Sequence, residues 1–196
     1  MKSVITGMFL LASVANASML TAHINVDNVF NLYVSISDSA LGTLVGTGTD
    51  WAVTETLAQS LTPGVTNYIH LVADNQGGPG GFLGDFSVSD TSFQFVNGTQ
   101  SLLTNTGWDF NTTGFGTSYG NPVDEGANGV SPWGTQSGVS SSAHWIWDPR
   151  NCATCTVYFS TPITYTDQTG VPEPASLSLL TGGLALGWLL RRKRAA

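Results

Sequence analysis

Val29-Phe-Asn-Leu-Tyr-Val-Ser-Ile-Ser37 is a stretch in which apolar residues recur at every second position. The recurring positions are Phe30, Leu32, Val34 and Ile36. Successive side chains of a β-strand point to opposite faces, so this alternation predicts a half-buried strand.

Further short runs of β-branched and aromatic residues follow, separated by turn-forming residues. They cover residues 41–46, 67–73, 82–88, 92–96, 144–147 and 155–159. No window keeps a helical apolar period over three turns, although residues 54–61 fit either a helix or a strand. Seven or more short strands predict an all-β sandwich.

Two stretches read as loops. Residues 74–81 contain five Gly or Pro among eight, and residues 111–142 are rich in Gly, Ser and Asn. A loop as long as the second is either functional or disordered in a compact domain.

The N-terminus has the form of a secretory signal peptide over residues 1–17. Lys2 precedes an uncharged, mostly apolar stretch at 4–14, and Ala15-Asn16-Ala17 fits the small-x-small site of signal peptidase. We therefore expect export and cleavage after Ala17. The alternative is an ordinary buried N-terminal helix.

The C-terminus combines three features in order. Val171-Pro172-Glu173-Pro174 precedes an uncharged stretch at 175–190, and Arg191-Arg192-Lys193-Arg194 follows at once. The uncharged stretch has 16 residues, whereas a bilayer span needs about 17–25 apolar residues. Counting Pro174, and letting the arginine side chains reach back to the membrane surface, makes the stretch long enough to cross. The basic end should stay cytoplasmic.

This tail resembles the PEP-CTERM sorting domain of Gram-negative bacteria, over residues 171–194. The resemblance implies recognition by an exosortase, removal or exchange of the tail, and an association with exopolysaccharide. We expect a cell-surface or extracellular-matrix protein, transiently anchored in the inner membrane. The alternative is a permanent single-span anchor.

The domain between the two ends, residues 18–170, is strongly acidic. Its one basic residue is Arg150, against 10 Asp and 2 Glu, so its net charge is 1 − 12 = −11. This excludes the basic footprint of nucleic-acid binding and disfavours adsorption to anionic membranes. The acidity favours solubility; the alternative is that some Asp residues bind Ca²⁺, but no Asp-x-Asp-x-Asp loop is present.

The chain contains two cysteines, Cys152 and Cys155. An exported chain meets an oxidising compartment, and a β-turn brings such a pair within reach of a disulfide. A small disulfide is favoured over free thiols. A structural zinc site needs four ligands and a thioredoxin-like site needs a βαβ setting, so we expect no metal or cofactor.

The body resembles galactose-binding-domain-like sandwiches, over about residues 25–159. The carrying stretches are DNVFNLYV at 27–34, GTGTDW at 46–51, LTPG at 61–64, NQGGPGGFLG at 75–84, GVSPWG at 129–134 and AHWIW at 143–147. The chain departs from the pattern where Ser37-Asp38-Ser39 replaces the usual Asn-Gly turn. The resemblance implies a jelly-roll-like fold that binds sugars at loops on one end.

Trp133 is the aromatic candidate for stacking on a sugar, because it lies in a loop; pinning that loop is the alternative. We expect Trp145 and Trp147 to share one face of a strand and pack in the core, and Trp51 to pack as well.

Asp74, Asn75 and Gln76 are the polar candidates for a sugar site, since a strand gives way to a Gly-rich loop there. Asp and Asn at such a position equally often bond their own backbone, so both interpretations stay open.

Gly116-Thr-Ser-Tyr-Gly120 matches the G-x-S-x-G motif, and Asp124 and His144 follow in the order of α/β-hydrolases. That motif needs a strand before the serine and a helix after it, whereas Asn121-Pro122 follows here. A glycosidase needs two carboxyl groups that flank the scissile glycosidic bond. Asp124 and Glu125 are adjacent in sequence and do not naturally take such positions. We expect a non-catalytic module.

Overall fold

The computed structural model describes residues 17–116 and 118–167. Over these residues the chain is all-β, as the sequence predicts, and it forms two six-stranded antiparallel sheets. The strands are β1 Met19–Asp27, β2 Val29–Ser35, β3 Thr43–Gly48, β4 Glu55–Ser60, β5 Asn67–Asn75, β6 Gly81–Val88, β7 Phe93–Phe95, β8 Ser101–Leu103, β9 Asp109–Asn111, β10 Val123–Ala127, β11 His144–Trp147 and β12 Cys155–Tyr165.

Sheet A has the order β10-β11-β6-β1-β4, and β8 also pairs with β6. Sheet B has the order β3-β2-β5-β12-β7, and β9 also pairs with β12. Within these described residues we find no helix long and apolar enough to cross a membrane.

The main core lies between the two sheets and follows directly from strand alternation. On β1 every second residue is buried, and β2 does the same with Phe30 and Leu32. Both sheets contribute to this cluster, whose largest buried side chains include Leu20, Ile24, Ile69, Phe82, Phe86, Trp108, Trp147 and Phe159. Burying each such side chain stabilises the fold by about 1.5–3 kcal/mol.

Each predicted strand run overlaps a strand, and the ambiguous residues 54–61 form β4, so the helical alternative there is wrong. Four strands were not predicted: β1, β8, β9 and β10. The last two overlap the predicted loop at residues 111–142, which is therefore partly strand.

β12 continues through Pro162, a residue that normally argues against a strand interior. On one side of β12, β9 pairs with residues 158–160 and β7 with residues 163–165. Pro162 lies between the stretches of β12 that pair with β9 and with β7, where that side of β12 has no partner strand in the part of the chain that the structure describes. The N–H that proline lacks therefore costs no ladder hydrogen bond on that side.

A second hydrophobic cluster lies outside the main core and is covered by residues 128–143, here called the covering segment. Its members are Leu83, Trp133, Val139, Ala143 and Trp145, with Trp51, Leu103 and Val130 packed against them. Part of the long Gly/Ser-rich stretch at residues 111–142 therefore covers an apolar face of the sandwich.

The two tryptophans of β11 belong to different clusters, so the prediction of a shared strand face is wrong. Trp145 packs in the second cluster, whereas Trp147 packs in the main core with Phe159, at a ring-centroid distance of 5.9 Å. Trp147 is the last residue of β11, so strict alternation no longer fixes where its ring points.

The predicted signal peptide and sorting tail fall almost entirely outside the described residues. Of their residues only Ala17 is described, as exposed coil. The cleavage signal at Ala15, the sorting motif and the span at 175–190 stay predictions.

Candidate functional site

The loops that hold the predicted site residues do meet at one end of the sandwich, here called the β1–β2 end. The backbone N–H of Asn28 donates to the Asp74 carbonyl at 3.1 Å, and the Asn28 side chain accepts from the N–H of Gln76 at 2.7 Å. The indole N–H of Trp133 donates to Asp27 in the same turn, at 2.9 Å. The structure therefore brings the Gly-rich loop and the Trp133 loop to one turn.

Asn75 organises the Gly-rich loop. Its side-chain oxygen accepts from the N–H of Gly77 at 3.0 Å, and its amide donates to the carbonyls of Gly78 at 3.0 Å and Cys152 at 3.2 Å. The residue is 3% exposed. Its amide is thus committed to turn geometry, the alternative that the sequence left open.

Asp74 and Gln76 are more accessible than Asn75. The Asp74 carboxylate accepts from the Thr156 hydroxyl on the neighbouring strand at 2.5 Å, and Gln76 is exposed at the loop tip. Their side chains do not form one polar cluster, because Asp74 is tied to β12 while Gln76 extends into the loop.

Trp133 is 5% exposed and stacks on Trp145, with ring centroids 4.5 Å apart and planes 18° apart. One ring face is therefore occupied, and its N–H bonds to Asp27. This arrangement pins the loop and leaves no open ring face for a sugar. Among the tryptophans that the structure describes, Trp51 alone remains partly exposed.

The covering segment is held by buried amides that sequence reasoning missed. Asn128 donates to the carbonyls of Gln136 and Val139 at 3.1 and 3.0 Å, and accepts from the Gln136 N–H at 2.8 Å. Asn25 on β1 donates to the side chain of Gln136 at 3.2 Å. Asn25 lies at an outward position of the β1 alternation, where a polar residue is typical of a solvent-facing strand, so the pattern carries no signal that this face is covered.

Asp27 is the buried carboxyl of this region. Burial raises its pKa, and the hydrogen bond from Trp133 lowers it in part. Its other oxygen, Oδ1, has no hydrogen-bond partner within the described residues. The carboxyl therefore costs stability when it is ionised.

Cys152 and Cys155 lie as the sequence predicts, with their sulfur atoms at bonding distance and their Cα atoms 6.1 Å apart. That Cα separation falls within the disulfide range. The structure adds a third residue, Asp148, whose buried carboxylate lies beside the pair and accepts from the Arg150 guanidinium at 2.8 Å.

Ser118 is hydrogen-bonded to sheet B, whereas the acid and the base of the hydrolase-like motif lie on sheet A. Its carbonyl accepts from Asn111 at the end of β9 in sheet B, at 2.9 Å. Asp124 and His144 pair at 2.8 Å on β10 and β11 in sheet A, where both are solvent-accessible. Burial and the neighbouring Asp124 raise the pKa of Glu125.

On the outer face of sheet B, residues 36–42 are tied down by side chains from distant parts of the chain. Asp38 accepts from the Tyr119 hydroxyl at 2.9 Å. The buried His70 ring places Nδ1 3.4 Å from the Leu41 carbonyl and Nε2 3.6 Å from Asp38. Burial lowers the pKa of His70. These contacts hold residues 36–42 in place.

The same segment forms one wall of a cleft of about 390 Å³ at the opposite end of the sandwich from the β1–β2 turn. The turn between β4 and β5 forms the other wall. The lining residues are Val34, Ser35, Ile36, Ser37, Ala40, Gly42, Thr43, Gln59, Ser60, Thr62 and Asn67.

None of the lining residues is charged, which is notable in a domain of net charge −11. Most carry a hydroxyl or an amide, and Ile36 adds an apolar surface that is 63% exposed. Gly42 has a φ of +89°, and a Cβ there would collide with the Val34 carbonyl, so only glycine fits this wall.

No protein-family model, curated protein or solved structure matches the chain.

Proposed function

We propose that this protein is an exported surface or matrix protein that binds uncharged polysaccharide without turning it over. The observation that carries the proposal is the uncharged, hydroxyl- and amide-lined cleft between residues 34–43 and 59–67. Ligand sites usually enclose about 300–1,000 Å³ and fix orientation with a few polar groups, a range that includes this cleft.

The chemistry of the lining favours a neutral, hydroxyl-rich ligand. Ser, Thr and Gln side chains both donate and accept hydrogen bonds, as sugar hydroxyls do, whereas the buried Asn67 amide is committed to the turn through Thr62 and Val65. Anionic polymers would be repelled by a domain of net charge −11 unless Ca²⁺ bridged them.

The connectivity of the chain supports the jelly-roll-like part of the proposal. β1 lies in sheet A, β2 and β3 in sheet B, β4 in sheet A, β5 in sheet B and β6 in sheet A. Repeated crossing between two antiparallel sheets is the pattern of jelly rolls. It accords with the resemblance to galactose-binding-like modules, although the cleft lies at the end away from the residues that the sequence favoured.

The location forms the second part of the proposal. Signal peptidase would act after Ala17, and an exosortase would recognise the tail at residues 171–194. The polysaccharide ligand would then belong to the extracellular matrix with which such tails are associated. The alternative is a structural surface protein with no ligand.

A glycan array with the full-length protein in detergent, with and without Ca²⁺, tests the proposal. For any neutral glycan that binds, we expect Gln59→Ala and Thr43→Val each to weaken affinity about 3- to 10-fold, the worth of one hydrogen bond. Gln76→Ala, at the opposite end, is the matched control and should bind like the wild type. Weakening by the control alone would move the site to the β1–β2 end, and silence towards every glycan would favour the structural alternative.

A further inference from the structure

We propose that Asp148, Cys152 and Cys155 form a redox-gated binding site for a thiophilic divalent metal ion of the Zn²⁺ class. The donor atoms of these three side chains all lie within 4.8 Å of one another. The site is separate from the cleft and does not depend on the proposed function.

The local backbone creates this juxtaposition. β11 ends at Trp147, and the N–H of Asn151 donates to the Asp148 carbonyl at 2.8 Å, which turns the chain back. Asn151 takes a φ of +50°, a conformation that asparagine tolerates. Both cysteines therefore return to the carboxylate that precedes them by four and seven positions.

The loop is fixed from outside by two side chains. The Cys152 carbonyl accepts from the Asn75 amide at 3.2 Å and from the Trp147 indole at 3.5 Å. A loop that is held by its neighbours keeps the three ligands together without the metal, which lowers the ordering cost of binding.

Once reduced, the three ligands suit a tetrahedral metal. Thiolate sulfur binds Zn²⁺ at about 2.3 Å and carboxylate oxygen at about 2.0–2.2 Å, so ligand atoms of one ion lie closer together than 4.8 Å. Three protein ligands leave a fourth position for water, as in open zinc sites.

The charges also balance. Two thiolates and the Asp148 carboxylate carry three negative charges, against two on the metal and one on Arg150. The backbone N–H of Arg150 bonds Asp148 Oδ1 at 2.8 Å, and its guanidinium bonds Oδ2 at 2.8 Å. The guanidinium also donates from Nε to Oδ1 at 3.1 Å and to Oδ2 at 3.2 Å, so it stays beside the carboxylate. Each carboxylate oxygen has two lone pairs, so Oδ2 can bind the metal while it still accepts from Arg150.

Oxidation state gates the site, because a disulfide offers no thiolates. Exchange with a dithiol breaks the Cys152–Cys155 bond, giving two protein thiols and the oxidised dithiol. Metal binding then displaces one proton from each thiol. In an oxidising compartment the pair stays closed and the site stays metal-free.

The test is Co²⁺ titration of the full-length protein, reduced with dithiothreitol and desalted without oxygen. We expect thiolate-to-cobalt absorption that saturates at one ion per chain, and none in the oxidised protein. Absence of that absorption in the reduced wild type would overturn the proposal.

Two variants assign the ligands. Asp148→Asn should weaken Co²⁺ binding by at least about 10-fold, the loss that even an outer-shell partner can cause. Asp74→Asn, the carboxylate of the neighbouring strand, should leave it unchanged. Cys155→Ala removes one thiolate without disturbing the buried charge, and should abolish the one-to-one absorption. Unchanged affinity in folded Asp148→Asn would reduce the site to the cysteines alone and refute the three-ligand assignment.

Discussion

The main core and the apolar cluster beneath the covering segment are both buried, yet they are held in different ways. The main core is an apolar layer between two sheets, to which every central strand contributes. The covering segment presses a small apolar cluster onto the outside of sheet A and is tied down by the amides of Asn25, Asn128 and Gln136. The difference shows that strand alternation builds the first, whereas a few directional bonds position the second.

This distinction predicts different modes of failure. Loss of an apolar contact in the main core should lower the stability of the whole domain, since both sheets depend on it. Loss of the Asn128 amide should release the covering segment before the sheets unfold, because the side-chain bonds of Asn128 all lie within that segment.

The largest effect is expected for Phe159→Ala in the main core. Phe159 is fully buried against the rings of Phe82 and Trp147, so its removal should cost about 3–5 kcal/mol of unfolding free energy. Denaturant unfolding measures this, and all probes should shift together. The control Ile36→Ala, at a side chain 63% exposed, should change stability by no more than about 0.5 kcal/mol.

Asn128→Ala should cost about 2–3 kcal/mol, because it leaves a buried N–H and several carbonyls without partners. Hydrogen exchange should accelerate within residues 128–143 first. Asn97→Ala is the matched control, since Asn97 makes similar turn bonds to Thr99 and Ser101 but is exposed. Uniform acceleration across both sheets would contradict an independent covering segment.

The pH dependence of the unfolding free energy tests the role of Asp27, the buried carboxyl that bonds Trp133 of the covering segment. The pKa of Asp27 is raised above 3.8, so the folded state binds its proton more tightly than the unfolded state. Its contribution to stability is present below 3.8 and is lost as the pH rises through the raised folded-state pKa. Wild type should therefore lose stability relative to Asp27→Asn over that interval.

Denaturant unfolding of both proteins below and above pH 3.8 gives the difference. The exposed-site variant Asp50→Asn controls for the change in net charge. A constant difference between wild type and Asp27→Asn across the interval would show that Asp27 does not carry this dependence.

The smallest effect is expected at the edge of sheet A, where Asp124 and His144 pair at 2.8 Å with side chains 45% and 39% exposed. An exposed ion pair contributes at most about 1 kcal/mol and is screened by salt. Asp124→Asn should therefore lower stability slightly at a pH where His144 is charged, and added salt should erase the difference. A loss that persists in high salt would indicate a structural role in the β10–β11 ladder.

Much of the fold could be predicted because its strands bury one face. The runs around Phe30, Ile69 and Phe82 carry the alternation or the apolar density that two packed sheets require. β1 was not predicted, although it carries the same alternation in Leu20, Ala22, Ile24 and Val26. Its sequence pattern was therefore sufficient to predict a strand. β8 and β9 have three residues each, too few to show a period.

The candidate site could not be predicted in the same way. The cleft is made by backbone positions and small polar residues such as Ser37 and Thr62, which in sequence look like ordinary turns. Likewise, Trp133 in a loop fits stacking on a sugar and stacking on Trp145 equally well, and only the fold distinguishes them. Asp148 joins the cysteines through a turn that spacing alone does not specify.

The position of β12 has a consequence for how the chain is made. β12 is the last strand that the structure describes, yet it lies inside sheet B and pairs with β5 over nine residue pairs, as well as with β7 and β9. Until residue 165 has left the ribosome, sheet B lacks its centre, and the contacts that close it join residues far apart in sequence, which slows folding. A nascent chain that has not closed its sheet stays unfolded for longer, and an unfolded chain is what the export proposed above would require.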